Sequence, residues 1–280
     1  MPKLDIGDAV LHYQQAGAGR DVVLLHAFTA NLSVWAFTGM IDALAREFRV
    51  TAYDLRGHGA SSVTECGYDS SSMARDFEAL RAQLDLGPCF LIGHSFGGVV
   101  AMHVAVDFPK SVAGVILSDS YFPGLRELEP DMERTSIWSD IQTHFAAAGA
   151  DIGDTVDFQR LFRVLKSLSA DEMACVKQHM GAGGARWLSQ VSQLADTRAG
   201  DEMFEISGLD EPRLRQIEQR VLALYDEFSP FEATRRFLTE NLPNCRSKVV
   251  PGAKHFAPLE CPEVFQGMVL EQLREWSAVG

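Results

Sequence analysis

Short apolar runs alternate with helix-patterned segments along most of this chain, and that rhythm constrains its fold more than any other feature. "DVVLLH", "RVTAYDL", "CFLIG" and "SVAGVILSDS" read as strands. Between them, "SVWAFTGMIDALAREF" (Ser33 as N-cap), "SSSMARDFEALRAQLDLG" (closed by Gly87) and "FGGVVAMHVAVDFP" carry apolar residues at helical spacing. Nearly continuous apolar strands separated by helices are the mark of parallel strands covered on both faces. "KLDI" and "AVLHYQQ" flank a Gly7-Asp8 turn and form a hairpin ahead of them. The expected fold class is therefore α/β, a doubly wound and mostly parallel sheet of about eight strands.

The rhythm stops near Tyr121. From there to Leu209 the patterns are helical only: "DMERTSIWSDIQTHFAAAG", "TVDFQRLFRVLKSL", "ADEMACVKQHM" and "ARWLSQVSQLAD", the third opened by a capping box of Ser169 and Glu172. Strand and helix then alternate again through "RVLALYD", "FEATRRFLTENL", "SKVVPG" and "PEVFQGMVLEQLREW". This divides the chain into a core of residues 1–120 and 210–280 and a helical lid or cap of residues 121–209, inserted after strand six. The apolar load of that block (Trp138, Phe145, Phe158, Phe162, Met173, Met180, Trp187) is core packing for the most part. Part of it is expected to line a ligand cavity, because large pockets favour the seams between such units.

Composition narrows the function classes. A formal net charge of −13 disfavours nucleic acid and anionic membrane surfaces as partners. The N-terminus shows no apolar signal segment, and no run is long enough for a membrane helix. Five scattered cysteines without a CxxC pair fit reduced thiols in the cytoplasm. The spacings of a zinc site are missing, and neither a metal nor a cofactor is expected. A small-molecule substrate is the expected partner, and the sequence leaves the oligomeric state undetermined.

The chemistry concentrates where "CFLI" runs into Gly93-His94-Ser95-Phe96-Gly97. A Gly-x-Ser-x-Gly turn between strand and helix holds its serine outward in a strained conformation at a helix N-terminus. The glycines are needed where side chains would collide with the neighbouring strand and helix. A base must accompany this nucleophile, and His255, in the loop after the last strand, is the only late histidine. His58, in a tight turn, reads as structural; His12 and His103 lie inside a strand and a helix. The His94 side chain is expected to point away from the serine.

These pieces carry a resemblance. "LLHAFTA", "YDLRGHGAS", "GHSFGG" and "PGAKHFAPLECPE", in this order, make the chain similar to the α/β-hydrolase fold superfamily over nearly its whole length. The resemblance implies an oxyanion hole formed by the backbone N–H groups of Phe96 and Phe28. Ala27 stands where the family usually has glycine. The family's usual acid after strand seven is also missing, for "LALYDEFSP" puts Asp226 at the glycine position and Ser229 at the aspartate position. Some members carry the acid at the end of strand six, where Asp119 lies. Asp119 is accordingly the first candidate for the triad acid and Asp226 the alternative, with Glu227 or no acid behind them. Asp226, close to its strand end, is not expected to reach the His255 loop.

The expected function is a serine hydrolase that cleaves a carboxylic ester, lactone or thioester of a small apolar metabolite, with Ser95 attacking, His255 as base and acid, and Asp119 orienting the imidazole. Epoxide hydrolases and haloalkane dehalogenases of the fold carry aspartate at the elbow, which Ser95 disfavours. Carbon–carbon bond hydrolysis, perhydrolysis, cofactor-independent dioxygenation and small-molecule reception are the alternatives that this fold accommodates.

Overall fold

The computed structural model describes residues 2–130 and 136–278. Eight strands form one sheet: β1 (Lys3–Asp5), β2 (Val10–Ala16), β3 (Asp21–Leu25), β4 (Arg49–Tyr53), β5 (Cys89–His94), β6 (Val112–Ser118), β7 (Val221–Asp226) and β8 (Cys245–Val250). Their spatial order is β1-β2-β4-β3-β5-β6-β7-β8. The expected hairpin pairs β1 with β2, and β2 is antiparallel to β4 as well; every other neighbouring pair is parallel.

Side-chain parity builds the two faces. Val23, Leu25, Leu91, Leu117 and Ala223 pack into one core, and Val22, Leu24, Ile92, Ile116 and Leu222 into the other. Since successive strand residues point to opposite sides, such strands must be apolar throughout. Helices α3 (Ser70–Gln83) and α4 (Phe96–Asp107) contribute to the first core. The other face is covered by α1 (Ser33–Phe37), α2 (Met40–Leu44) and, at the C-terminus, α12 (Pro262–Ala278).

Two local expectations are corrected. The segment from Ser33 to Phe48 is two short helices, since Gly39 at φ 72° interrupts the pattern, and Leu32 rather than Ser33 occupies the cap position. The helix at Ser70 ends at Gln83, and Asp85 at φ 50°, rather than Gly87, takes the left-handed position behind it. Its start is set by Asp69, whose carboxylate accepts from Ser72 N at 3.0 Å.

Between β6 and β7 lie α5 (Ser136–Ala146), α6 (Phe158–Ser167), α7 (Ala170–Leu194), α8 (Ala199–Glu202) and α9 (Glu211–Leu214). Residues 131–135, with which the first helix of this block was expected to open, lie outside the described residues. The capping box forms at the start of α7, where Ser169 and Glu172 satisfy each other's backbone N–H groups. Gly181 (φ 67°) breaks α7 at the point where the sequence separates two helical patterns. The chain closes with α10 (Glu232–Asn241), α11 (Ala257–Glu260) and α12. No helix among the described residues is long and apolar enough to cross a membrane.

Candidate active site

Six mutually parallel strands present their carboxyl ends along one edge, and β3, between β4 and β5, marks the point where the chain order reverses. Open α/β sheets bind ligands beyond such an edge. Every candidate residue sits there, just past the end of β3, β5, β6 or β8 or, for Asp226, at the end of β7.

Ser95 follows β5 at φ 51° and ψ −119° and forms the N-cap of α4. Its N–H donates to Ser118 O at 2.8 Å, and its carbonyl accepts from Gly98 N at 2.9 Å. The surrounding glycines are sterically required: a Cβ on Gly97 would collide with the carbonyl oxygens of Leu25 and His26, and one on Gly98 with Ser120 Oγ. A close approach of elbow, β3 and β6 is therefore written into the sequence. No hydrogen bond joins Ser95 Oγ to another described group; the serine and His255 share one cavity wall. In ligand-free sites such bonds are often long and tighten only around substrate.

Of the two acid candidates, Asp119 is the one that contacts the His255 ring. Asp119 is fully buried, and its Oδ2 lies 2.7 Å from His255 Nδ1. Its Oδ1 accepts from Asp226 N at 3.2 Å. Asp119 itself is held at φ 47° while its N–H donates to Leu224 O at 2.9 Å. The imidazole is boxed in by Phe231, His94 and Phe256, with ring centroids at 5.5, 5.3 and 4.8 Å.

Asp226 corrects the expectation that it falls short of the His255 loop. Its Oδ2 accepts from Ala257 N at 3.1 Å, two residues beyond the histidine. Its Oδ1 is buried without a partner among the described residues, and its carboxyl is pushed up to about 8, by burial first and by the charge of Asp119 second. Glu227 points elsewhere and accepts from Gly252 N at 2.8 Å, while Ser229 Oγ accepts from Phe231 N at 3.0 Å.

His94 turns its ring to the His255 loop. It lines the cavity, and its Nε2 lies 2.8 Å from the carbonyl oxygen of His255. Burial pushes it down to about 3, so the ring is neutral and donates this N–H. His58 is structural, as read, and it serves the loop after β3: Thr29 N donates to its Nε2 at 3.1 Å, while its Nδ1 lies 2.7 Å from Arg56 O. Burial and the neighbouring His26 push it down to about 3, which keeps Nε2 an acceptor. His26 accepts from Leu55 N at 2.9 Å. His12 faces Asp54 at 2.6 Å and His103 faces Ser70 at 2.9 Å, both buried and away from the serine.

Phe28 and Phe96 are both buried, and their rings meet edge to face at 5.9 Å. Their backbone N–H groups make no hydrogen bond with other described groups. Ala27 avoids positive φ, which explains why a methyl group is tolerated at that position.

Above the elbow lies a cavity of about 850 Å³. Its walls combine the strand-end loops with Trp138, Phe158, Trp187 and Phe204 of the inserted helices and their connections. Of the seven large apolar residues singled out in that block, Trp138, Phe158 and Trp187 reach the cavity. Phe145 and Phe162 are buried in the core instead. Arg186 is the one arginine or lysine in the described lining, and no aspartate or glutamate accompanies it.

A serine on a strand-to-helix turn, facing the same cavity as a buried Asp–His pair at the carboxyl edge of a doubly wound sheet, defines an α/β-hydrolase. Residues 22–262 match the family model for the alpha/beta hydrolase fold, and the chain belongs to that family. It is 26% identical over 270 residues to a 2-(acetamidomethylene)succinate hydrolase of Mesorhizobium japonicum, covering 94% of this chain and 91% of that one. It is 27% identical over 266 residues to a pimeloyl-[acyl-carrier protein] methyl ester esterase of Nitrosomonas europaea, covering 92% and 97%. Among solved structures, an N-acyl homoserine lactone degrading enzyme shares the fold at a TM-score of 0.69 and 21% identity, covering 96% of this chain and 99% of that one. Esterases, a lactonase and other hydrolases thus surround the chain.

Proposed function

We propose that this protein is a serine hydrolase acting on a carboxylic ester, lactone or thioester of a small, largely apolar metabolite. The observation that carries the reading is the 2.7 Å contact between His255 Nδ1 and the fully buried Asp119, beside an elbow serine that faces the same cavity. Ser95 Oγ attacks the acyl carbon while His255 Nε2 takes its proton, and Asp119 holds the proton on Nδ1 and stabilises the imidazolium. The N–H groups of Phe28 and Phe96 receive the developing oxyanion. His255 then protonates the leaving alcohol or thiol, and water, activated by the same imidazole, releases the acid from the acyl-enzyme. The inserted helices act as the lid that supplies the apolar wall. The two relatives, a hydrolase and a methyl ester esterase, agree with acyl chemistry of this kind. Five free cysteines among the described residues suit a cytoplasmic setting.

The test is labelling of the purified protein with a fluorophosphonate, together with turnover of a p-nitrophenyl ester series, lactones and thioesters. Ser95→Ala should abolish labelling and lower kcat by about 10⁶ while the fold persists. Retention of more than a few per cent of the turnover would exclude Ser95 as nucleophile.

A further inference from the structure

Besides Ser95 and Asp119, a third residue of the site lies at positive φ, in the loop after β3, and it is β-branched. Thr29 adopts φ 64°, a region that a β-branched residue enters only when its surroundings hold it there. Its N–H donates to His58 Nε2 at 3.1 Å, and its hydroxyl donates to Phe28 O at 2.6 Å. Both ends of the Phe28–Thr29 peptide are therefore tied. The hydroxyl also accepts, from the indole N–H of Trp187 at 2.9 Å. Trp187 lies on α7, beyond the break at Gly181, and is 158 residues away in the chain. One turn further along, Gln190 Oε1 accepts from Gly59 N at 3.0 Å, next to His58. This half of α7 thus grips both partners of the His58–Thr29 bond.

The preceding peptide is fixed as well. Ala27 O accepts from Ala30 N at 3.0 Å and lies 2.8 Å from His26 Nδ1. In a trans peptide the N–H points opposite to the carbonyl. With Ala27 O turned toward His26 and Ala30, the Phe28 N–H is directed to the other side of the plane.

We propose that Trp187 is a positioning residue for the oxyanion site: its indole N–H, through the Thr29 hydroxyl, holds the Phe28–Thr29 peptide, and so fixes from its C-terminal side the residue whose N–H receives the oxyanion. The inference rests on the serine-hydrolase reading given above. It couples docking of α7 to assembly of the anion site, because the contact that closes the cavity wall also restrains the peptide next to the donor. Trp187 touches the loop and not the reacting atoms, so its loss falls on transition-state stabilisation more than on ground-state binding.

The experiment compares wild type, Trp187→Phe, which keeps a ring and loses the N–H, Thr29→Val, which keeps the shape and loses the hydroxyl, and Thr29→Ser. Each is assayed with p-nitrophenyl esters and with an alkyl boronic acid, which forms a tetrahedral adduct on an active serine. The carboxylic acid product serves as the ground-state ligand, and thermal unfolding reports on the fold. Trp187→Phe should lower kcat by about 10- to 100-fold and weaken boronate binding in parallel, leaving KM and product affinity within about twofold. Thr29→Val should do the same, the double variant should lose little more than either single one, and Thr29→Ser should recover most of the rate. Unchanged kcat in Trp187→Phe, a loss confined to KM, or equal losses in Thr29→Ser and Thr29→Val would each overturn the assignment. If the wild type itself forms no fluorophosphonate or boronate adduct, the serine-hydrolase reading fails, and this proposal with it. That failure shows in the wild type, whereas failure of the Trp187 role alone shows only in the variants.

Discussion

Asp119→Asn separates the two acidic candidates, and the structure indicates how the replacement amide will sit. Asp119 accepts two bonds, one on each oxygen: Asp226 N on Oδ1 at 3.2 Å and His255 Nδ1 on Oδ2 at 2.7 Å. The Asp226 N–H is a fixed donor at the end of β7, so the asparagine must turn its oxygen toward it. Its amide nitrogen then faces His255 Nδ1. Two N–H groups cannot share that contact, so Nδ1 must give up its proton and become the acceptor. The imidazole proton moves to Nε2, and the atom that should take the proton from Ser95 no longer has a free lone pair. On the proposed mechanism the wrong tautomer lowers kcat by about 10⁴, equivalent to about 5.5 kcal/mol of transition-state free energy. Because the site is fully buried at Asp119, water cannot substitute for the lost carboxylate. The assay is steady-state ester hydrolysis at neutral pH on protein whose thermal unfolding matches the wild type. A loss below about tenfold, or a greater loss in Asp226→Asn, would refute the assignment of the acid to the end of β6.

Asp226→Asn should leave kcat within a few-fold, since an amide oxygen can still accept from Ala257 N. It should also change the pH dependence of stability. The Asp226 carboxyl is raised from 3.8 to about 8, so the folded state holds a proton that the unfolded chain has already released between those values. Its contribution is fully present below pH 4, declines as pH rises from about 4 and is lost by about 8, so the wild-type Tm should fall relative to the variant between about pH 4 and 8, and parallel Tm curves would count against this. Arg186→Ala should lower kcat/KM by about tenfold for acyl chains that end in a carboxylate and leave neutral chains of equal length nearly unaffected, because Arg186 is the only arginine or lysine in the described lining. Equal losses on both ester series would show that Arg186 contributes packing alone.

The parts of this protein that can be read from sequence are those encoded locally. Strand parity, the elbow glycines and the Ser169–Glu172 cap are short-range patterns with a single physical solution, and each forms as its pattern requires. The apolar spacing through Gly39 looks like one helix because periodicity does not register a residue at positive φ. The expected closure at Gly87 failed for a related reason: Asp85 enters the left-handed region, which aspartate does more readily than most side chains. The motifs brought Ser95 and His255 to one cavity, and the preference for Asp119 followed from the absence of a carboxylate at Ser229. What sequence could not convey was reach. Asp226 contacts Ala257 across 31 positions, His94 bonds the His255 carbonyl across 161, and Trp187 meets Thr29 across 158. Each depends on where a loop path brings a side chain, which no local pattern specifies. A positive φ at a threonine immediately after the His26-Ala27-Phe28 loop has no signature in a single sequence.

The two carboxyl groups at the ends of β6 and β7 also explain each other. Asp119 Oδ1 and Asp226 are joined through the Asp226 backbone N–H, so the two side chains cannot move far apart. Two carboxylates buried at that spacing cannot both ionise at low cost. The donors decide which one holds the charge. Asp119 has a donor for each oxygen, one of them an imidazole, whereas Asp226 has the Ala257 N–H and an oxygen with no partner among the described residues. Environments that differ in this way push paired titratable groups toward different roles. Asp226 therefore behaves as a neutral acid, and its work is mechanical: it clamps the loop two residues past His255. Its protonation spares Asp119 a second negative charge at close range. A lysine or arginine at position 226 would supply the opposite charge but forfeit the acceptor for Ala257 N, and a glycine would forfeit both the clamp and the filled space. A protonated carboxyl or its amide isostere meets both demands, and that is why the asparagine variant is the one expected to keep the enzyme working.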